Sequence, residues 1–128
     1  MRSHRYSKKA FIIDLKTAEV ERLPDMHISR QAHGMVKVGD YVYCCAGLDG
    51  GYDILDTCER FHLERKVWTK DVPPMQNQKF SMTMMVLDKT WLYSFGGATL
   101  AFQEGLTGLE IERLNTATLP EGAQYKTP

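Results

Sequence analysis

The chain repeats a stretch of its own sequence at a spacing of 50 residues, and this repeat constrains its fold more than any other feature. Residues 35–47 (MVKVGDYVYCCAG) and 85–97 (MVLDKTWLYSFGG) both begin with Met-Val and end with glycine, with an aromatic-aliphatic-tyrosine run between. Aligned in this way, the two segments keep a constant offset with no gap. Self-similarity at such a spacing is typical of solenoids, propellers and arrays. Each unit is too short to bury its own apolar face, so it must stack on its copies.

Composition and charge restrict the partners that the chain is expected to bind. Its 128 residues are 43% hydrophobic and 25% charged, as in one ordinary globular domain. Sixteen Lys and Arg residues balance sixteen Asp and Glu residues, which argues against nucleic acid or an anionic membrane as a partner. No apolar run approaches the roughly 20 residues that span a bilayer. The basic segment 1–9 lacks the apolar stretch of a secretory signal and is predicted to be a solvated tail.

The three cysteines favour a reducing compartment. Cys44 and Cys45 are adjacent in an apolar segment, and the total is odd, so they do not form a disulfide framework. They are expected to be reduced thiols that pack as small hydrophobic side chains. The prediction for location is therefore cytoplasmic.

The middle unit contains the signals for four short strands. These are predicted at 32–38, 41–46, 57–63 and 67–70. A Gly39-Asp40 turn joins the first two strands, and a glycine-rich loop at 47–53 separates the second from the third. Prolines at 73 and 74 end the unit, because proline cannot join a strand ladder from inside. Four such strands make one antiparallel sheet.

The flanking units are incomplete. Residues 10–26 match only the second half of the middle unit, and residues from 80 onward match its first half. Two alignments compete at the end of the third unit: 112–114 on 59–61, or 114–117 on 15–18. The predicted organisation is a tail at 1–9, a partial blade at 10–26, a full blade at 30–75, a partial blade at 80–120 and a tail at 121–128.

Several motifs in this order and spacing resemble kelch repeats. They are Arg30 and His33 before the first strand, the Gly39-Asp40 turn, the strand ends Tyr43…Ala46-Gly47 and Tyr93…Gly96-Gly97, the Asp49-Gly50-Gly51 loop, Cys58-Glu59-Arg60-Phe61, and Trp68 seven residues after Phe61. Ala46 replaces the first glycine of a pair, Val20 stands where the family has tryptophan, and Thr83 is aligned with His33. The resemblance implies an all-β fold of kelch-type propeller blades, about two of them, in an incomplete propeller. It also implies structural roles for Gly39, Tyr43, Gly47, Trp68, Tyr93, Gly96 and Gly97.

Kelch propellers are mostly protein-interaction modules, so the resemblance implies a non-enzymatic adaptor or scaffold that binds protein partners and needs no cofactor. Further blades are expected from the same larger protein, from another chain or from homo-oligomerisation. In the family, the contacts lie in the loops after the second strand and in the links between blades. Carried over to this chain, the candidate contact residues are Arg30, Leu48, Asp49, Tyr52, Asp53, Gln78, Thr99, Phe102, Gln103 and Glu104.

Two other functions stay open from the sequence. One is a structural subunit of a large cytoskeletal or organellar assembly. The other is a fragment of a kelch-like propeller enzyme, an oxidase or a sugar isomerase. A metal-dependent enzyme needs histidine, cysteine or tyrosine ligands at usable spacing, and neighbouring Cys44 and Cys45 point to opposite faces of a strand. The chain also lacks a Ser-His-Asp order and a phosphate loop, and its four histidines are scattered, at His4, His27, His33 and His62. We therefore predict no enzymatic activity and no bound metal.

Overall fold

The computed structural model describes residues 7–99, 110–119 and 125, and these are built of β-strands and loops. The one helical turn in this part of the chain is a 3-10 turn at Thr116–Thr118. The fold class predicted from the kelch resemblance is confirmed. The strands are β1 (Ala10–Ile13), β2 (Val20–Leu23), β3 (Gly34–Val38), β4 (Tyr41–Leu48), β5 (Ile54–His62), β6 (Val67–Thr69), β7 (Thr83–Leu87), β8 (Trp91–Phe95) and β9 (Ile111–Asn115).

The strands form three antiparallel sheets in which each strand pairs with its neighbour in sequence. They are an N-terminal sheet (β1-β2), a central blade (β3-β4-β5-β6) and a C-terminal sheet (β7-β8-β9). The central blade contains the four strands predicted for the middle unit. Its second strand runs on to Leu48, and its third begins at Ile54 rather than Thr57. The polar turn residues predicted at 64–66 do join β5 to β6.

The N-terminal sheet repeats the outer half of the central blade, as predicted. Ala18 and Lys66 both adopt positive φ, at 60° and 58°, in the turns that join the paired strands. The Met26 N–H donates to the Lys8 carbonyl, as the Met75 N–H does to the Asp56 carbonyl. Residues 10–26 therefore correspond to the third and fourth strands of a blade.

The constant offset of 50 residues is wrong for the first strand of the repeat. In the central blade Val38 pairs with Tyr41 across a two-residue turn, whereas in the C-terminal sheet Leu87 pairs with Trp91 across three residues. The additional residue is accommodated because Asp88 and Lys89 both take positive φ, at 51° and 64°. The first strands are thus 49 residues apart and the second strands 50.

This correction changes which residues are equivalent. Met35 faces Cys44 across the hairpin, and Met84 faces Ser94. Met35 therefore corresponds to Met84 rather than Met85. At the same offset Met82, not Thr83, stands where His33 stands in the central blade.

The pairing of β9 decides between the two alignments at the end of the third unit. Arg113 lies opposite Tyr93 in the C-terminal sheet, as Arg60 lies opposite Tyr43 in the central blade. Residues 112–114 therefore align on 59–61, and the alignment of 114–117 on 15–18 is wrong.

The main core lies between the central blade and the C-terminal sheet. Backbone hydrogen bonds also cross this junction, from Ser81 N–H to the Ala32 carbonyl and from Gly47 N–H to the Lys79 carbonyl. Because side chains alternate along β4, Cys45 enters this core while Cys44 faces the N-terminal sheet, so the two thiols point apart as predicted. The buried members of the core are Val38, Tyr43, Cys45, Ala46, Cys58, Val72, Met75, Met82, Leu92, Leu114 and Tyr125.

Candidate protein-interaction face

The loop after β4 and the links between sheets emerge at the same end of the molecule, because successive strands of a blade run in opposite directions. An isolated bridge joins Gln31, in the first link, to Leu48 at the end of β4. A second bridge joins Phe80, in the next link, to Ala98 after β8. We call this surface, formed by residues 27–33, 48–53, 76–81 and 96–99, the loop face.

The loop at 49–53 is braced by its own polar groups. The Asp49 Oδ1 atom accepts hydrogen bonds from the N–H groups of Gly51 and Asp53, at 2.8 and 3.0 Å. The Asp49 carbonyl accepts from the Tyr52 N–H at 3.1 Å. Tyr52 takes φ of 63° and is 64% exposed, whereas Leu48 at the loop's root is half-buried. The loop therefore displays an aromatic ring between two carboxylates.

The remaining predicted contact residues fall in different places. Gln78 is exposed on the link before β7, and Thr99 is half-buried after β8. The predicted contacts at 102–104 (Phe102, Gln103 and Glu104) lie outside the described residues. Sequence reasoning missed Asn77, whose Nδ2 donates to a carboxylate oxygen of exposed Glu110 at 2.9 Å.

Arg30 is buried beneath the loop face instead of forming part of its surface. Its side chain is only 1% exposed, and its Nε donates to Glu59 at 3.3 Å. Its Nη1 donates to the carbonyls of Ala46 and Thr57 at 2.9 and 2.7 Å. These bonds tie the link before β3 to the ends of β4 and β5. Arg30 is a bracing residue here, and the exposed surface does not include it.

The same buried clamp recurs one repeat later, and sequence reasoning missed it. Lys79 pairs with Glu112, and both side chains are 1% exposed. The carboxylate of Glu59 accepts the N–H of His27, and that of Glu112 accepts the N–H of Gln76. The detectable signal was the Glu-Arg pair at 59–60 and 112–113, with a cation 29 and 33 residues earlier in each link.

Glycines end the second strand of each unit where neighbouring backbone approaches closely. Gly47 has φ of 94°, and a Cβ there would lie 2.7 Å from the Gln31 carbonyl oxygen. Gly97 has φ of 101°, and its Cβ would lie 3.0 Å from the Phe80 carbonyl oxygen. Ala46 adopts φ of 59°, close to the 67° of Gly96, so the residue that replaces glycine keeps its left-handed conformation.

Aromatic side chains fill the space between sheets. The Trp68 Nε1 donates to the Pro24 carbonyl at 2.7 Å, and its ring centroid lies 5.0 Å from that of Phe61. Trp68 thus joins the central blade to the N-terminal sheet. Tyr43 is 1% exposed in the main core, and Tyr93 stacks on Phe95 with ring centroids 5.9 Å apart. Gly39 forms the tight turn between β3 and β4, with φ of 57°.

Tyr125 closes the main core over two thiols, a contact with no signal in the sequence pattern. Its Oη lies 3.3 Å from the Sγ of Cys45 and 3.5 Å from the Sγ of Cys58. Burial raises the pKa of Cys45 and also that of Tyr125. On the opposite face of β4, burial first and the Glu59 charge second raise the pKa of Cys44 to about 12. The thiols of Cys44 and Cys45 are therefore protonated at neutral pH.

The described residues contain no group of three or more His, Cys, Asp or Glu side chains placed to hold a metal ion. No helix in the same part of the chain has the length and apolar character to cross a membrane.

Up-and-down antiparallel blades that stack face to face through aromatic and aliphatic side chains define a propeller-type repeat protein. A comparison with protein families agrees: the Kelch motif model matches residues 29–76, which span the central blade and the link before it. The chain belongs to the kelch-repeat family, as the sequence motifs predicted. No curated protein matches the chain.

Proposed function

We propose that the chain is a non-enzymatic protein-interaction module whose loop face contacts a protein partner. The observation that carries this proposal is the display of Tyr52 between Asp49 and Asp53 on a loop that hydrogen-bonds to itself. Tyrosine gives a large contact area at a small cost in conformational entropy, and it is enriched among the residues that dominate binding energy. The kelch motif supports an interaction module in general.

The two ends of the stack favour a module that works within a larger propeller or a multi-protein complex. Met35 is 64% exposed on the central blade, and Met85 and Leu87 are 44% and 42% exposed on the C-terminal sheet. Apolar surface on open sheet faces is typical of interaction sites. This feature supports an adaptor or scaffold and also a permanent structural subunit, since both cover the same surface.

A reducing, intracellular location is part of the proposal. Cys44, Cys45 and Cys58 are all free and buried, and no pair of them is bonded. Free thiols of this kind are common where the cytosol keeps cysteines reduced.

The test compares the proteins crosslinked to the full chain in cells with those crosslinked to two variants. Tyr52→Ala removes the exposed ring of the loop face, and Leu15→Ala removes an exposed apolar side chain from the turn at the opposite end of the strands. We expect Tyr52→Ala to lose specific partners that Leu15→Ala keeps, at equal expression and thermal stability. With a purified partner, a contact of about 2 kcal/mol corresponds to an affinity loss of roughly thirtyfold. Equal partner sets for wild type and Tyr52→Ala would exclude this loop as the contact surface.

A further inference from the structure

An apolar cleft of about 470 Å³ separates β1 from the face of the central blade. The blade contributes Met35, Val42, Cys44 and Phe61 to its wall, and Trp68 lies at its outer side. Met35 is 64% exposed there. The cleft therefore leaves apolar side chains of β3 and β4 in contact with water, on a surface separate from the loop face.

The equivalent positions of the C-terminal sheet are covered. Met84 corresponds to Met35 and packs against the main core, and Leu92 corresponds to Val42 and is 0% exposed. The cover is the β3-β4 hairpin of the central blade. Gly34 leaves room for the Met84 side chain, and a Cβ at that position would clash with it. The structure thus contains one filled copy of the site and one open copy.

The open copy also has a free strand edge. In the central blade β5 pairs with β4 on one side and with β6 on the other. Its counterpart β1 pairs with β2, and within the described residues its other edge has no partner strand. The free edge borders the cleft, at the position that β4 occupies beside β5. Unpaired backbone groups on such an edge are a template for strand addition.

One polar group in the cleft supports a backbone ligand. His33 lines the cleft, and its Nδ1 atom is buried with no hydrogen-bond partner in the part of the chain that the structure describes. Burial first, and the Arg30 charge second, lower the pKa of His33. The neutral imidazole offers one hydrogen bond to a peptide group that enters the cleft.

We propose that this cleft binds a β-hairpin from another polypeptide, one strand of which pairs along the free edge of β1. The filled copy of the site defines the chemistry of the hairpin. Its inward face carries a small residue over Met35 and aliphatic or aromatic residues beside it, in the pattern of Gly34, Val36, Val38 and Tyr43. The outward face of the hairpin is free to vary.

The experiment uses the full chain and a backbone-cyclised peptide of residues 31–48 with Cys44→Ser and Cys45→Ala. The peptide contains no tryptophan, so Trp68 in the cleft reports binding by its fluorescence. Amide hydrogen exchange then locates the peptide. We expect saturable binding, with new protection of the β1 amides that do not bond to β2.

Matched variants separate the cleft from other apolar surfaces. Met35→Glu places a charge in the cleft, and Met85→Glu places the same charge on the open face of the C-terminal sheet. Both positions are exposed, so the fold is expected to survive, and circular dichroism checks this. We expect Met35→Glu to weaken binding about tenfold or more and Met85→Glu to leave it unchanged. A peptide with Val36→Asp should also bind at least about tenfold more weakly.

The absence of saturable binding, unprotected β1 amides, or equal weakening by Met35→Glu and Met85→Glu would each overturn the proposal. None of these results depends on Tyr52. Failure of the cleft and failure of the loop face are therefore distinguishable.

Discussion

Replacing Arg30 with methionine separates a bracing role from a role in partner contact. The guanidinium donates to the buried Glu59 carboxylate and to two backbone carbonyls, those of Ala46 and Thr57. Methionine keeps much of the side-chain volume but leaves Glu59 buried without its cation. Breaking a buried ion pair by removing one partner costs about 3–5 kcal/mol. A small domain has a total stability of only about 5–15 kcal/mol, so the loss would be large.

Urea denaturation followed by tryptophan fluorescence measures this loss directly. Arg22→Met is the matched control, because Arg22 pairs with Asp25 at the surface, with side chains 48% and 54% exposed. Such an exposed pair contributes about 0–1 kcal/mol. The double variant of Arg30→Met with Glu59→Leu should lose less than the sum of the two single changes, by about 1–3 kcal/mol.

A loss below about 1 kcal/mol for Arg30→Met would refute this reasoning, since that is the value for an exposed pair. Additive single changes would also refute it, because Arg30 and Glu59 would then not interact.

Three further changes test the packing between sheets. Trp68→Ala should cost about 3–5 kcal/mol by denaturation, because it removes the ring over Phe61 and the bond to the Pro24 carbonyl; a cost near zero would mean that the ring does not join the sheets. Gly97→Val should lower the melting temperature more than Gly50→Ala, because Gly97 has φ of 101° and meets backbone at 3.0 Å; equal melting temperatures would contradict the close approach. Cys44 should resist a thiol reagent at pH 8 in the folded chain and react in denaturant. Since its pKa rises from 9.0 to about 12 on folding, its contribution to stability is complete below pH 9 and is lost as the pH rises towards 12; a titration that is flat over this range would contradict the burial of the thiol.

The strands and the blade architecture were predictable because their signals are local. Alternating apolar residues, the Gly39-Asp40 turn and the closing Gly47 each act within a few residues, and the structure confirms the strands they predict. The 49-residue offset was not predictable, because methionine and valine occur side by side in both first strands. A slip of one residue there leaves the apparent match intact, and only strand pairing shows it.

The buried clamps were missed for a different physical reason. Glu59, Glu112 and Lys79 are charged, and a charged side chain in a strand or link is ordinarily assigned to the surface. Their burial depends on partners 29 and 33 residues away, at Arg30 and between Lys79 and Glu112 themselves. Tyr125 contacts residues 67 and 80 positions earlier, which no periodicity encodes.

The repeated carboxylate clamp has a consequence for the geometry of the array. Glu59 grips the link at His27 and Glu112 grips the link at Gln76, each through a backbone N–H and a buried cation. The angle at which one blade follows another is therefore determined inside the stack and not by the loops on its surface. Curvature, and with it the number of blades that would complete a circle, becomes a property of two side chains per repeat. The loops are then free to diverge without changing the size of the circle.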